Sequence, residues 1–167
     1  MDTYMRIRLF GGTEEDADTV RAVIERLDAL LSATDEGSEI YALDHGVGLP
    51  VPVSEETFDV VSRALEFSYS VGRSFELSIL PISRAWDFTG EDHRIPPEAE
   101  LAALLPLVGD ERIAVDAEHN AVIVPKGMEL DLGAVAKGYA ADRAAEASSV
   151  SKLIRRAYSA PWASSRA

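Results

Sequence analysis

A glycine turn with a lysine beside it is the most chemically suggestive stretch of this sequence. From residue 131 to 142 the chain reads Asp131-Leu132-Gly133-Ala134-Val135-Ala136-Lys137-Gly138-Tyr139-Ala140-Ala141-Asp142. The preceding Gly127-Met128-Glu129-Leu130 has the character of a turn and a short strand, and the alanine-rich run from Ala140 to Ala147 has high helix propensity. A strand, a glycine turn and a helix together present backbone N–H groups that lack an intrachain partner. The helix dipole favours an anion at that point. Gly133 and Gly138 let the backbone come close to a ligand, and Lys137 adds positive charge within reach. Spacing alone leaves two readings open: an anion-binding turn, or a capped helix with a surface lysine.

Other reactive residue types are sparse. His45, His93 and His119 fall in predicted loops without i, i+4 spacing, and all three read as surface residues. With no cysteine there is no disulfide, thiolate nucleophile or zinc–thiolate site, and the compartment stays open. Glu14-Glu15-Asp16 and Glu91-Asp92 read as caps or solvated faces, and no acidic cluster in residues 1–147 has the look of a metal-ligand set. The loop Asp44-His45-Gly46-Val47-Gly48-Leu49-Pro50 is either a plain turn or a weak phosphate-loop hint. No residue is assigned a catalytic role.

The string 131–142 resembles the signature of the ApbE-type flavin transferases, Asp-Leu-Gly-Gly/Ala-Ile/Val-Ala-Lys-Gly-Tyr/Phe-Ala-x-Asp, at every position. Three further segments agree with the family in order. Met1-Asp2-Thr3-Tyr4 resembles the start of its first strand, and Ser38-Glu39-Ile40 its Ser-Glu-Ile element. The run from Ser74 to Ile82, with Trp86-Asp87-Phe88, resembles its Phe-Asp-x-Thr-x-x-Pro-Leu…Trp-Gly-Phe segment. The resemblance implies an enzyme that moves FMN from FAD to a threonine of a target protein with magnesium, releasing AMP. It implies an α+β fold, with helices packed on a mixed, largely antiparallel sheet, incomplete relative to the family.

Site residues follow from the resemblance position by position. Ala134 would give a backbone carbonyl to magnesium, a hard cation that takes oxygen ligands. Lys137 would face the flavin nucleotide and help hold its pyrophosphate, and Asp131 would support the turn. Met1, Ser38 and Glu39 would border the FAD site. Glu76 stands where the family has aspartate, and Ser78 where it has threonine; the methylene that Glu76 adds would move a hydrogen bond to the nucleotide by about 1 Å. Phe75, Trp86 and Phe88 are core anchors by composition, or by resemblance a wall for a flat ring. The family's remaining magnesium ligands and its His-x-Ile-Asp-Pro element belong to a second half that is not visible here.

The elements that would position these residues are legible in part. Thr13 with Asp16 forms a candidate cap for a helix whose apolar face is Val20, Val23, Ile24, Leu27, Leu30 and Leu31. Tyr4 to Phe10 alternates like a half-buried strand, and Ser32 to Leu43 reads as polar and turn-rich. Val51-Pro52-Val53 leads to the N-cap Ser54 and a helix ending near Gly72, with Phe58, Val61, Leu65 and Tyr69 along one stripe. Ser74 to Phe88 has no clean period, and Pro81 interrupts it. Pro96-Pro97-Glu98 starts a helix with Leu101, Leu104, Leu105 and Val108 facing inward as far as Gly109. Residues 112–116 and 121–125 form a hairpin.

Length and charge limit the alternatives. At 167 residues there is room for one domain with a proper core. The net charge of −13 argues against nucleic acid, whose phosphates demand a basic footprint. No apolar run approaches the roughly 20 residues of a membrane span. There is no basic start followed by an apolar stretch, so no signal peptide is read; intact family members often act at the cell envelope, and localisation stays open. Residues 1–147 are read as the N-terminal part of a flavin transferase domain. Residues 148–167, with Lys152, Arg155, Arg156 and Arg166 and no acidic residue, are read as an aberrant or disordered basic tail, against a genuine short variant. The competing function is a small acidic α+β module that binds a nucleotide or a partner protein without catalysis.

Overall fold

The computed structural model describes residues 6–88 and 94–148. Met1 and the tail beyond Ser148 lie outside the described residues. The chain divides into two compact units, Ala29–Leu132 and the paired segments Met1–Asp28 and Gly133–Ala167.

In the first-numbered segment, α1 (Glu14–Leu31) begins where Thr13 and Asp16 cap each other. The Asp16 carboxylate accepts the Thr13 N–H at 2.8 Å, and the Thr13 hydroxyl accepts the Asp16 N–H at 3.2 Å. Glu14, Glu15 and Asp16 place negative charge on the positive helix end. Val20, Leu27 and Leu31 are buried and Val23, Ile24 and Leu30 half-buried, so the expected apolar face is the inward one. Of the strand expected over Tyr4 to Phe10, Tyr4 and Met5 lie outside the described residues and the rest is corrected: residues 6–9 have no regular structure, and Ile7 and Phe10 are exposed. Among the described residues nothing pairs with this segment, and a strand without a ladder leaves its backbone groups unsatisfied. The same unit holds α6 (Ala136–Ala147), which buries Ala136, Tyr139, Ala140 and Ala144.

The unit of residues 29–132 carries the sheet. Strands β1 (Val51–Pro52), β2 (Ala114–Asp116) and β3 (Ala121–Ile123) pair antiparallel in the order β1-β3-β2, with Val51 opposite Val122 and Val115 opposite Val122 on the other side. The β2–β3 hairpin is the one the sequence predicts. Its turn is fastened by Asp116, whose carboxylate accepts the Glu118 and His119 N–H groups, and by Asn120 in the left-handed region at φ 47°. A single parallel bridge, Ile79 to Glu129, adds the mixed character. It is what remains of the short strand expected before Gly133.

Helices flank this sheet in the sequence. The polar stretch after α1 contains α2 (Glu39–Asp44), which was expected to be turn; Ser38 caps it, and Ile40 and Leu43 are buried. Ser54 caps α3 (Glu55–Ser70) by accepting the Thr57 N–H. The inward face of α3 is Thr57, Val60, Val61, Ala64 and Ser68. Of the expected stripe only Val61 is buried, and Tyr69 is 79% exposed. Pro81 does not interrupt a segment but sits in the first turn of α4 (Leu80–Trp86), where its missing N–H costs nothing. α5 (Glu98–Leu104) begins at Pro97 as expected but stops early. Pro106 cannot continue the ladder, the chain tightens into a 3-10 turn over Leu105–Leu107, and Leu105 is exposed rather than inward.

Candidate functional site

Around Gly133 the chain makes a turn over residues 133–135 and enters α6 at Ala136. The residue at the N-cap position is Val135, which has no side-chain acceptor, and among the described residues no side chain caps this helix. The first-turn N–H groups of Ala136, Lys137 and Gly138 therefore lack the side-chain acceptor that Ser54 provides for α3. Lys137 reaches back so that Nζ donates to the Gly133 carbonyl at 3.0 Å. An ammonium has three donors, so this bond leaves capacity for an anion over the same turn. Ala134 is exposed. A Cβ at Gly138 would meet nothing within 4 Å, so open space rather than close packing surrounds that glycine.

The unit of residues 29–132 holds the other candidates, and most of their polar atoms are already engaged. The Ser38 hydroxyl accepts the Tyr41 N–H at 3.0 Å and donates to the Ser32 carbonyl. Glu39 accepts from Ser54: the backbone N–H reaches its two oxygens at 2.9 and 3.1 Å, and the hydroxyl donates to one at 2.7 Å. Glu39 opens α2 and Ser54 caps α3, so one carboxylate lies at two positive helix ends. Glu76 Oε1 accepts from the Ser78 N–H at 2.9 Å, the Ser78 hydroxyl at 2.6 Å and the Asp110 N–H at 2.9 Å. The Ser78 hydroxyl in turn accepts the Gly109 N–H at 2.8 Å. Glu76 and Ser78 thus bind residues 76–78 to residues 109–110, across a sequence gap of 31 and 34 positions. Among the described residues no donor reaches the second Glu76 oxygen.

Asp131 donates its N–H to the Leu77 carbonyl at 2.8 Å, which ties the start of the motif to the same segment. The aromatics split. Phe75 meets Phe67 edge-on at 5.6 Å, while Trp86 and Phe88 stack at 5.7 Å with planes 2° apart. Phe88 is 69% exposed, so its part in a core is corrected.

The expectation that no acidic cluster has the look of a metal-ligand set meets one group that has the spacing. Glu76, Asp110 and Glu111 bring carboxylate oxygens within 4.8 Å of one another, the one such group of three among the described residues. Their distance in sequence hid this. Arg73, in the left-handed region at φ 59°, donates to Asp110 at 2.6 Å and Glu111 at 3.0 Å, and Asp110 also accepts the Leu77 N–H. An arginine at the centre of the cluster opposes a divalent cation, and we assign the group to holding the loop. For magnesium, exposed Ala134 fits as one donor of the hard oxygen type; the described residues do not supply a complete set around it.

An uncapped helix start, a lysine folded over its turn and the sequence from 131 to 142 coincide with a match to the model of the ApbE family over residues 1–157. The chain belongs to the ApbE family. A FAD:protein FMN transferase of Klebsiella pneumoniae (strain 342) is 32% identical over 145 residues, covering 86% of this chain and 46% of that protein. One of Treponema pallidum (strain Nichols) is 27% identical over 155 residues, covering 84% of this chain and 42% of its own length. Among solved structures, the ApbE protein of Thermotoga maritima matches with a TM-score of 0.74 and 30% identity over 80% of this chain and 44% of that one. The apo flavinyl transferase ApbE of Pseudomonas stutzeri has the same TM-score at 23% identity, covering 86% of this chain and 46% of its own, and supports the fold alone. The α+β, ApbE-like architecture is therefore the fold of this chain. The chain spans about half the length of the ApbE relatives it matches.

Sequence reasoning missed Arg73, Asp110 and Asp44. Asp44 lies at the end of α2, with its carboxyl on the Leu130 N–H at 2.8 Å. The spacing of Ile40 and Leu43 after a serine was the one available signal for that helix.

Proposed function

We propose that this chain carries the nucleotide-binding half of a FAD:protein FMN transferase, which moves FMN from FAD to a threonine of a target protein and releases AMP. The observation that carries this reading is the uncapped start of α6 with Lys137 over the turn, inside the family signature. There the N–H groups of the helix start and the ammonium would hold pyrophosphate oxygens, and the Ala134 carbonyl would give magnesium one ligand. In the reaction the threonine oxygen attacks the FMN-side phosphorus, the bond to the AMP oxygen breaks, and AMP leaves. The chemistry that a bound magnesium ion supplies is neutralisation of the charge developing on the pyrophosphate oxygens. This chain's own contribution is positioning. Lys137 and the helix start orient the phosphates. Nucleotide contacts at Ser38, Glu39 and Glu76 are what the family resemblance implies. The flavin-accepting protein, the location in the cell and the place of Met1 in the site are extensions of the same reading.

Titrating the chain with FAD, with and without magnesium, and following flavin fluorescence tests it. Magnesium-dependent quenching is expected, and Lys137→Ala should weaken binding by about 1.5–3 kcal/mol, the worth of a charge-assisted hydrogen bond. Equal affinity in the variant removes Lys137 from the site. No response in the wild type leaves an acidic binding module without this chemistry.

A further inference from the structure

Asp44 ends α2, and it is only 6% exposed. Its Oδ1 accepts the Leu130 N–H at 2.8 Å, a bond between residues 86 positions apart. Its Oδ2 is buried and has no hydrogen-bond partner among the described residues. Three charged or titratable groups act on it: His45 from the end of its own helix, Arg84 from α4 and Glu129 from the segment that carries Leu130. Arg84 is committed elsewhere, to an ion pair with Glu129 and to the Ala33 carbonyl at 3.3 Å. An ionised Asp44 would thus be a buried charge with one N–H donor and another carboxylate nearby. Such a group is costly unless it takes up a proton. The neutral acid keeps Oδ1 as the carbonyl that accepts from Leu130 and leaves a hydroxyl on Oδ2, a smaller burial cost than a charge. Burial is the largest influence and, with Glu129, raises the pKa to about 7; the Leu130 N–H, Arg84 and His45 pull it down.

We propose that Asp44 is a proton-operated latch: protonated, it stays buried against Leu130 and steadies residues 128–131, the run that feeds the Gly133 turn; ionised, its need for water outweighs the stronger bond that a carboxylate makes to Leu130, and that run loosens. The inference stands on the geometry of residues 29–132 and does not depend on flavin transfer. The direction with pH follows from the raised value. Stability from Asp44 is fully present below the unfolded value of 3.8 and is lost as pH rises through about 7.

Carboxyl NMR of the full chain reads the latch directly, and amide exchange at Leu130 reads its effect. The Asp44 carboxyl is expected to titrate near pH 7. Leu130 protection, corrected for intrinsic exchange, should fall by about tenfold or more between roughly pH 5 and 8. Asp44→Asn, which cannot ionise, should abolish that pH dependence. A carboxyl midpoint below about pH 5 overturns the proposal. So does an Asn variant that keeps the wild-type pH profile at Leu130. If the variant fails to fold, the wild-type carboxyl titration and Leu130 profile decide alone.

Discussion

Glu39 shows how a residue can be conspicuous in a sequence while its work stays hidden. Its type and neighbours mark it as part of a family element, but a carboxylate looks the same whether its partner is a ligand or the protein's own backbone. Here the partner is Ser54, through both the N–H and the hydroxyl. Ser38 and Glu76 are similarly turned inward, onto Tyr41 and Ser32 and onto Ser78 and Asp110. Arg73 and Asp110 drew no notice in the sequence because their pairing spans 37 positions. Removing the Glu39 carboxylate should therefore be felt as lost stability. Glu39→Ala is expected to cost about 1.5–3 kcal/mol as charge-assisted bonds are lost, and Ser54→Ala about 0.5–2 kcal/mol as a lost cap. The two should not add, because both remove the bond from the Ser54 hydroxyl to Glu39, with a coupling of about 0.5–3 kcal/mol. Denaturant melts of the two single variants and the double variant measure it, and strict additivity would show that the contact carries no energy.

At the scale of elements, legibility followed the strength of the period. α1 was plain because its apolar residues recur over several turns behind a Thr13–Asp16 cap, and the hairpin because two short apolar runs flank a polar turn. Leu27, 2% exposed on the inward face of α1, should cost about 2–5 kcal/mol when cut to alanine. A melt within error of wild type would mean that the face has been misjudged. α3 was placed correctly and its face read only in part. Large apolar residues suggested Phe58, Val61, Leu65 and Tyr69, but of these only Val61 is buried, and Val60, Ala64 and the hydroxyl side chains Thr57 and Ser68 complete the inward face. Ser68 can be buried because its hydroxyl donates to the Phe75 carbonyl at 2.8 Å. Tyr69→Ala is accordingly expected to change stability by no more than about 0.5 kcal/mol, which the same melts check. α2 and α4 were missed because six and seven residues hold too few turns for a period to emerge.

For the molecule as a whole, the family signature was readable from end to end, whereas the completeness of the site was not a local property. On the proposed reading Ala134 is a single magnesium donor, while a transfer step needs the attacking and leaving oxygens both oriented. Incubating this chain alone with FAD, magnesium and a threonine-bearing peptide is therefore expected to yield no covalent flavin by mass spectrometry. A clear FMN adduct would refute that expectation. The Glu39–Ser54 bond has one more consequence, for engineering. With the pairing of Val51 and Val122, it secures both ends of the segment between α2 and β1 without using the residues at its tip, where Val47 and Leu49 are exposed. Lengthening a segment held this way costs mainly closure entropy, about 0.6 kcal/mol per doubling. A short glycine–serine insert between Val47 and Gly48 should leave the melting transition nearly unmoved. That makes the tip a splice point for a fluorescent or affinity reporter, one that leaves both helix starts intact.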